Sequence, residues 1–258
     1  MLNNLKPFLE GHGIKMGRDA LFDLLSANYL LVKRRKRTVK TTNSLHWLRK
    51  YKNLIKEFEP TGIHQLWVSD ITYWRMRNGR HLYISLITDA YSRMIVGYHV
   101  ADNLEAVETV QALRMALSRL PPDMEGKLIH HSDRGLQYCS SEYVGLLQAR
   151  GIRISMTEDG DPLDNAIAER VNGILKGEYL EHYPVQNIDQ ARVLLDDKVE
   201  VYNTKRPHMS ISNLTPSEVH LSTVKLNVQR TWKNYKRRIK ENVKQDQDYL
   251  NIVNQKKD

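Results

Sequence analysis

Leucines at positions 21, 24, 25 and 31 recur mainly at three- and four-residue steps, and this spacing predicts one amphipathic helix over residues 18–31. The texture changes after residue 60. Segments 65–74 (QLWVSDITYW), 81–88 (HLYISLIT) and 94–100 (MIVGYHV) are rich in β-branched and aromatic residues and predict three consecutive antiparallel strands. The first two are joined through Asn78-Gly79, a strong hairpin signal. Residues 104–120 return to helical spacing, with Asn103 as the expected N-cap and Pro121-Pro122 as the stop. Then follow a short strand over 127–131, a helix over 140–150 opened by a serine, a strand over 152–156, and two helices over 164–180 and 188–203. The order is βββαβαβαα, a hairpin-led sheet flanked by helices.

Composition narrows the class. With 258 residues and 41% hydrophobic positions the chain can fill a real core. No stretch approaches the 18 uncharged apolar residues of a membrane span and the N-terminus has no signal-like apolar run, so a cytoplasmic protein without a membrane partner is expected. One cysteine, Cys139, excludes an internal disulfide framework and zinc sites built on cysteine pairs; a packed thiol is expected rather than a nucleophile.

The placement of charge says more than the net +9. Residues 1–58 carry 13 Lys/Arg against 4 Asp/Glu, residues 59–220 carry 16 against 22, and residues 221–258 carry 10 against 4. Basic arms suit a polyanion, whereas the acidic centre would repel one unless a divalent metal offsets it. Three regions are therefore expected: a basic N-terminal helical segment and linker over 1–59, a core over 60–220, and a basic tail over 221–258. The run Lys33, Arg34, Arg35, Lys36, Arg37 and the tail cations Lys236, Arg237 and Arg238 are candidate DNA contacts. The tail, where Trp232, Tyr235 and Ile239 alternate with cations, also has the look of a membrane-surface helix or a disordered arm, and DNA is favoured.

Three acids stand out. Asp70 interrupts an apolar strand, where an unpaired carboxylate is costly, and so calls for a cation or hydrogen bonds. Asp133 follows a short strand in HHSDRG, a position that faces a site at a strand end. At about 100° per residue, Asn165, Glu169, Asn172 and Lys176 share one face of the helix expected over 164–180, while Ile167, Val171, Ile174 and Leu175 take the other. Of His130 and His131, successive strand residues with opposite orientations, one is expected to be structural, and His131 could lie near bound metal.

Asp70, Asp133 and Glu169, with 35 residues between the last two and Lys176 seven positions further on, resemble the DDE signature of transposases and retroviral integrases. More closely, WVSDITYWR, LITDAYSRMIVGY, HHSDRGLQYCS, DNAIAERVNGILKGE, YNTKRPH and LTPSE resemble the OrfB-type transposases of the IS-three class of bacterial insertion sequences. The resemblance implies a ribonuclease-H-like α/β core, a mixed five-stranded sheet with flanking helices, between basic and mainly helical arms. It implies that the three acids are catalytic and hold two Mg²⁺ ions, with Mn²⁺ as substitute, for cleavage at element ends and strand transfer by transesterification. Lys176, Asn165, Asn172, Lys205 and Arg206 are then expected DNA contacts. The implied partners are double-stranded DNA, both element ends and target, and further copies of the chain on that DNA, in a bacterial cytoplasm at the nucleoid. Only residues 14–36 resemble the end of the family's helix-turn-helix segment, so an upstream-frame module, partner or fusion, is expected to supply end recognition. The competing readings are a catalytically inactive regulator and a metal-dependent nuclease that cuts without joining.

Overall fold

The computed structural model describes residues 2–31, 47–124, 126–158 and 165–223. The chain divides into two compact units, residues 1–41 and 42–258.

The first unit holds two helices where one was expected: α1 (Leu2–Gly11) and α2 (Arg18–Ala27). Pro7 and the Gly11/Gly13 pair disguise α1, because both residue types normally punctuate helices. Here the glycine is the stop itself. Gly13 takes φ +68°, the Ile14 amide donates to Leu9 O (2.8 Å) and the Gly13 amide to Glu10 O (3.1 Å), which is a Schellman closure. The same closure ends α2 through Leu30 N to Leu25 O and Tyr29 N to Ser26 O, but its left-handed position is filled by Tyr29 at φ +56°. Leu9 and Leu21 are the buried apolar residues of these helices.

The second unit is built on a five-stranded sheet: β1 (Leu66–Arg75), β2 (His81–Asp89), β3 (Ile95–Ala101), β4 (Ile129–Ser132) and β5 (Arg153–Met156), in the order β3-β2-β1-β4-β5. β1, β2 and β3 are antiparallel, and β4 and β5 run parallel to β1. Helices α3 (Ala106–Ser118), α4 (Leu136–Cys139) and α5 (Ser141–Ala149) contribute to one core with Trp67 and Ile87. Helices α6 (Ala166–Ile174) and α7 (Ile188–Lys205) contribute to another with Trp74, Leu82, Ile84 and Leu86. The alternation of Leu86 and Ile87 between the two cores is the period-2 rule of a strand covered on both faces. A short helix, α8 (Pro216–His220), closes the described chain, opened by a capping box between Thr215 and Glu218.

Three local features differ from the sequence reading. Asn103 is not the cap of α3; Glu105 is, and the Asn103 side chain accepts from the Glu105 amide at 2.9 Å. Segment 47–59, expected to be linker, lies on the core, with Leu48 and Tyr51 against one cluster and Ile55 and Phe58 against a third formed by Leu66, Val68, Ala90, Ile129 and Ala168. The single helix expected over 164–180 breaks after Ile174 into a π-turn (Leu175–Tyr179) and a 3-10 turn (Leu180–His182). The widened turn coincides with buried Gly177 and with Glu178 turned onto Arg206. Residue 164, the expected start of that helix, lies outside the described residues.

Candidate active site

β1 and β4 pair only from Leu66–Ile129 to Val68–His131. Beyond that register the two parallel strands part. Asp70 stands two residues past the last pair on β1, and Asp133 is the first residue after β4. Both acids therefore lie at the carboxyl-end crevice between parallel strands, where open α/β sheets place ligands.

Asp70 is held from two sides. Its Oδ1 accepts from the Ile71 amide (2.9 Å) and its Oδ2 from the Asn172 side-chain amide (2.8 Å). Burial raises its pKa to about 7, the negative charge of Asp133 adds to this, the two hydrogen bonds oppose it, and Glu169 pushes the same way as Asp133. Glu169 is likewise raised, by burial and then by Asp133. The three acids thus lie within electrostatic reach of one another. Asp133 Oδ1 accepts from the Gly135 amide at 2.9 Å. Among the described residues no three His, Cys, Asp or Glu side chains form a cluster that would cage a single metal. Mg²⁺ does not require such a cage, since it keeps several waters and takes one or two carboxylates together with substrate phosphates. An oxygen-only donor set whose members repel one another has the chemistry that suits a hard cation.

Helix α6 is fastened to β1 on both sides of Glu169. Asn165, four residues before it, donates to Ser69 O (2.9 Å), and Asn172, three residues after it, donates to Asp70. Both asparagines are buried. This corrects their reading as DNA contacts: both side-chain NH2 groups donate to β1 within the protein, while Glu169 between them is exposed. Arg206 is corrected for a similar reason, since its guanidinium makes a bidentate pair with Glu178, both bonds 2.7 Å long. Lys205 is exposed. Lys176, in the π-turn, carries its Nζ 3.5 Å from the centre of the Tyr73 ring on β1. Lys33 to Arg37 and Lys236 to Arg238 lie outside the described residues.

A buried polar layer supports β1 from the opposite face. His130 Nε2 lies 2.7 Å from Ser69 Oγ and 2.9 Å from Tyr143 Oη, and burial lowers the His130 pKa to about 3, so the ring is neutral. His131 points the other way, with Nδ1 2.8 Å from Ser155 Oγ on β5. Both histidines are therefore fully buried parts of the sheet, and the expectation that His131 attends the metal gives way to its bond with β5. Cys139 is a buried thiol 3.7 Å from Met156 Sδ, and burial raises its pKa. Sequence reasoning missed Tyr138, a buried residue whose pKa burial raises and the charges of Asp70 and Asp133 raise further. Its place in HHSDRGLQYCS, five residues after Asp133, was the available signal. Asp89, in LITDAYSR, is architectural: it accepts from the amides of His64, Tyr91 and Ser92 at the end of β2.

The integrase core domain family matches residues 60–162, and a second family of the same description matches residues 150–216. The IS600 insertion-element 31 kDa protein of Shigella sonnei is 38% identical over 216 residues, 83% of this chain and 78% of that protein. The transposase InsK for the IS150 element of Escherichia coli K12 is 32% identical over 66% of this chain, which spans 59% of InsK. Among solved structures, a chain of the simian T-cell lymphotropic virus intasome, solved with PP2A regulatory subunit B56 gamma, aligns with a TM-score of 0.55 at 19% identity, over 87% of this chain and 73% of its own length. That likeness concerns the fold: the mixed sheet with helices on both faces is the ribonuclease-H-like core of integrases.

Proposed function

Because this chain belongs to the integrase-core transposases of bacterial insertion sequences, enzymes of polynucleotidyl transfer, we propose that Asp70, Asp133 and Glu169 are its catalytic acids and that it cleaves element ends and joins them to target DNA. The observation that carries this reading is a carboxylate, Asp70, buried at the β1–β4 crevice with the charges of Asp133 and, more weakly, Glu169 bearing on it; burial first and that repulsion second raise its pKa to about 7. A protein keeps such a costly arrangement where a ligand relieves it.

In this reading Asp70, Asp133 and Glu169 hold two divalent ions, Mg²⁺ with Mn²⁺ as substitute. Bound there, the ions would supply Lewis acidity to the attacking and leaving oxygens of an in-line phosphodiester displacement. The chain's own part is positional. Asn172 and the Ile71 amide fix both oxygens of Asp70, and Asn165 and Asn172 together tie α6, the helix that carries Glu169, to β1. Gly135 orients Asp133 in the same way. Lys176, set on Tyr73 beside this strand, contacts a backbone phosphate or end base. A 3′-hydroxyl freed by cleavage then attacks a second phosphodiester. One such bond is exchanged for another, so no nucleotide hydrolysis is required. The partners are duplex DNA, as element end and as target, and other copies of this chain assembled on it; the basic arms 1–59 and 221–258 contribute sequence-independent affinity. The two helices of the first unit supply part of a helix-turn-helix, and an upstream module completes end selection. A labelled element-end duplex incubated with Mg²⁺ and target DNA tests the proposal by the appearance of joined as well as cleaved products.

A further inference from the structure

The β1–β2 hairpin projects a concentrated positive charge from an otherwise acidic core. Arg75, Arg77 and Arg80 account for three of the 16 Lys/Arg in residues 59–220, a region with 22 Asp/Glu, yet none of the ion pairs among the described residues involves them. All three are exposed, as is His81, the cross-strand partner of Arg75. The backbone beneath them is fixed. Met76 is buried in the α6/α7-side core, its amide donates to Arg80 O (2.8 Å), the Gly79 amide donates to Met76 O (3.0 Å) with Gly79 at φ +87°, and the Arg77 amide donates to Val185 O (2.9 Å). The fixed backbone therefore holds three cations, without ion-pair partners among the described residues, close together where an outside anion can meet them.

Their distance from the acids is set by the strand. Asp70 and Arg75 lie on the same strand five residues apart, about 17 Å at roughly 3.4 Å per residue, and Lys176 sits at Tyr73 between them. Duplex DNA also rises about 3.4 Å per base pair. The odd step sends the Asp70 and Arg75 side chains to opposite faces, but β4 pairs with β1 only as far as Val68, so a duplex running beside the strand edge beyond that point spans the distance from Asp70 to Arg75 in about five base pairs. We propose that Arg75, Arg77 and Arg80 form a clamp on the phosphate backbone of duplex DNA about five base pairs from the bond that reacts at Asp70. This rests on the catalytic reading given above and adds to it a surface outside the acid cluster. The clamp reads no sequence, because its contacts are to phosphate.

The test uses the full chain and duplexes carrying the reacting bond, with binding followed by fluorescence anisotropy from about 50 to 200 mM salt. The triple variant Arg75→Gln/Arg77→Gln/Arg80→Gln should lower the slope of log affinity against log salt by about 2 to 3, near 0.9 for each lost phosphate contact. On duplexes trimmed to three base pairs on either side of the reacting bond, wild type and variant should bind alike. The charge-matched variant Arg114→Gln/Arg150→Gln/Arg153→Gln should keep the wild-type slope. An unchanged slope in the hairpin variant, or an equal fall in the charge-matched one, would overturn the clamp. Melting curves verify that the exposed substitutions leave the fold intact, and Mg²⁺-dependent joining by the wild type in the same samples tests the catalytic reading separately.

Discussion

Replacing Asp70 by asparagine should destroy activity and, without metal, make the protein more stable. The folded-state pKa of Asp70 is about 7, against 3.8 in its ordinary surroundings. A carboxyl group whose pKa is raised by folding binds its proton more tightly in the folded state, so stability falls as pH rises from about 4 and reaches its lowest plateau above about 7. At about 1.36 kcal/mol per unit the full penalty is about 4 kcal/mol. Asp70 retains partial access to water, which screens the charge, and a net gain of about 2 kcal/mol is expected for the neutral amide. The substitution is nearly isosteric, and Asn172 can present its otherwise unpartnered Oδ1 to the new amide by turning over. For a unit of this size that gain corresponds to a rise in Tm of about 4–8 °C. The assay is thermal unfolding of wild type and Asp70→Asn in chelator at pH 4.5 and pH 8. The difference should be small at the lower pH and full at the higher one, and millimolar Mg²⁺ should narrow it at pH 8 by stabilising only the wild type. A less stable variant at pH 8, or a difference that ignores pH, would refute the electrostatic account of the site.

Gly97 lies where α3 crosses β3, and a Cβ there would sit 2.2 Å from Ala112 O and 2.8 Å from the Ala116 Cβ; Gly97→Ala should cost about 3 kcal/mol or more in urea unfolding, and a loss under 1 kcal/mol would show that α3 can move aside. Tyr29→Gly relieves a left-handed non-glycine residue at the end of α2 and should stabilise the first unit by about 1 kcal/mol, read from the thermal loss of helical circular dichroism. Glu178→Gln breaks the bidentate pair with Arg206 that closes the π-turn and should lower stability by about 1–2 kcal/mol, with a double-mutant cycle against Arg206→Gln showing most of that as coupling. Deleting residues 221–258 removes 10 Lys/Arg and should make the salt dependence of DNA binding shallower by several units; an unchanged slope would assign the tail to another role.

The strands were legible because aromatic and β-branched runs bounded by turns have few other solutions, and the positions of Trp67, Trp74 and Leu86 within them follow from period 2 alone. Helix α1 was hidden by Pro7, which reads as a breaker although the helix runs through it. The shared face of Asn165, Glu169 and Asn172 came directly from the 100° step, but what that face meets did not. Periodicity separates two sides of a helix without saying which neighbour either side receives, so the asparagines were assigned to DNA when they fasten α6 to β1. The π-turn at Lys176 escaped for a related reason: it coincides with the pairing of Glu178 with Arg206, residues 28 apart in sequence. His130 and His131 looked like a chemical pair, whereas the sheet sends them to opposite faces and gives each a hydroxyl partner.

The central claim is that the three acids act together to join DNA as well as cut it. The most direct measurement is a Mg²⁺-dependent assay on a labelled element-end duplex with target DNA, run on wild type, Asp70→Asn, Asp133→Asn and Glu169→Gln, with DNA binding recorded in the same samples. The account predicts cleaved and joined products from the wild type, and none from any of the three variants although each still binds DNA, because the carboxylates function as a unit. Substantial joining by any one variant would remove that residue from the site, and a wild type that binds but never joins would contradict the claim itself.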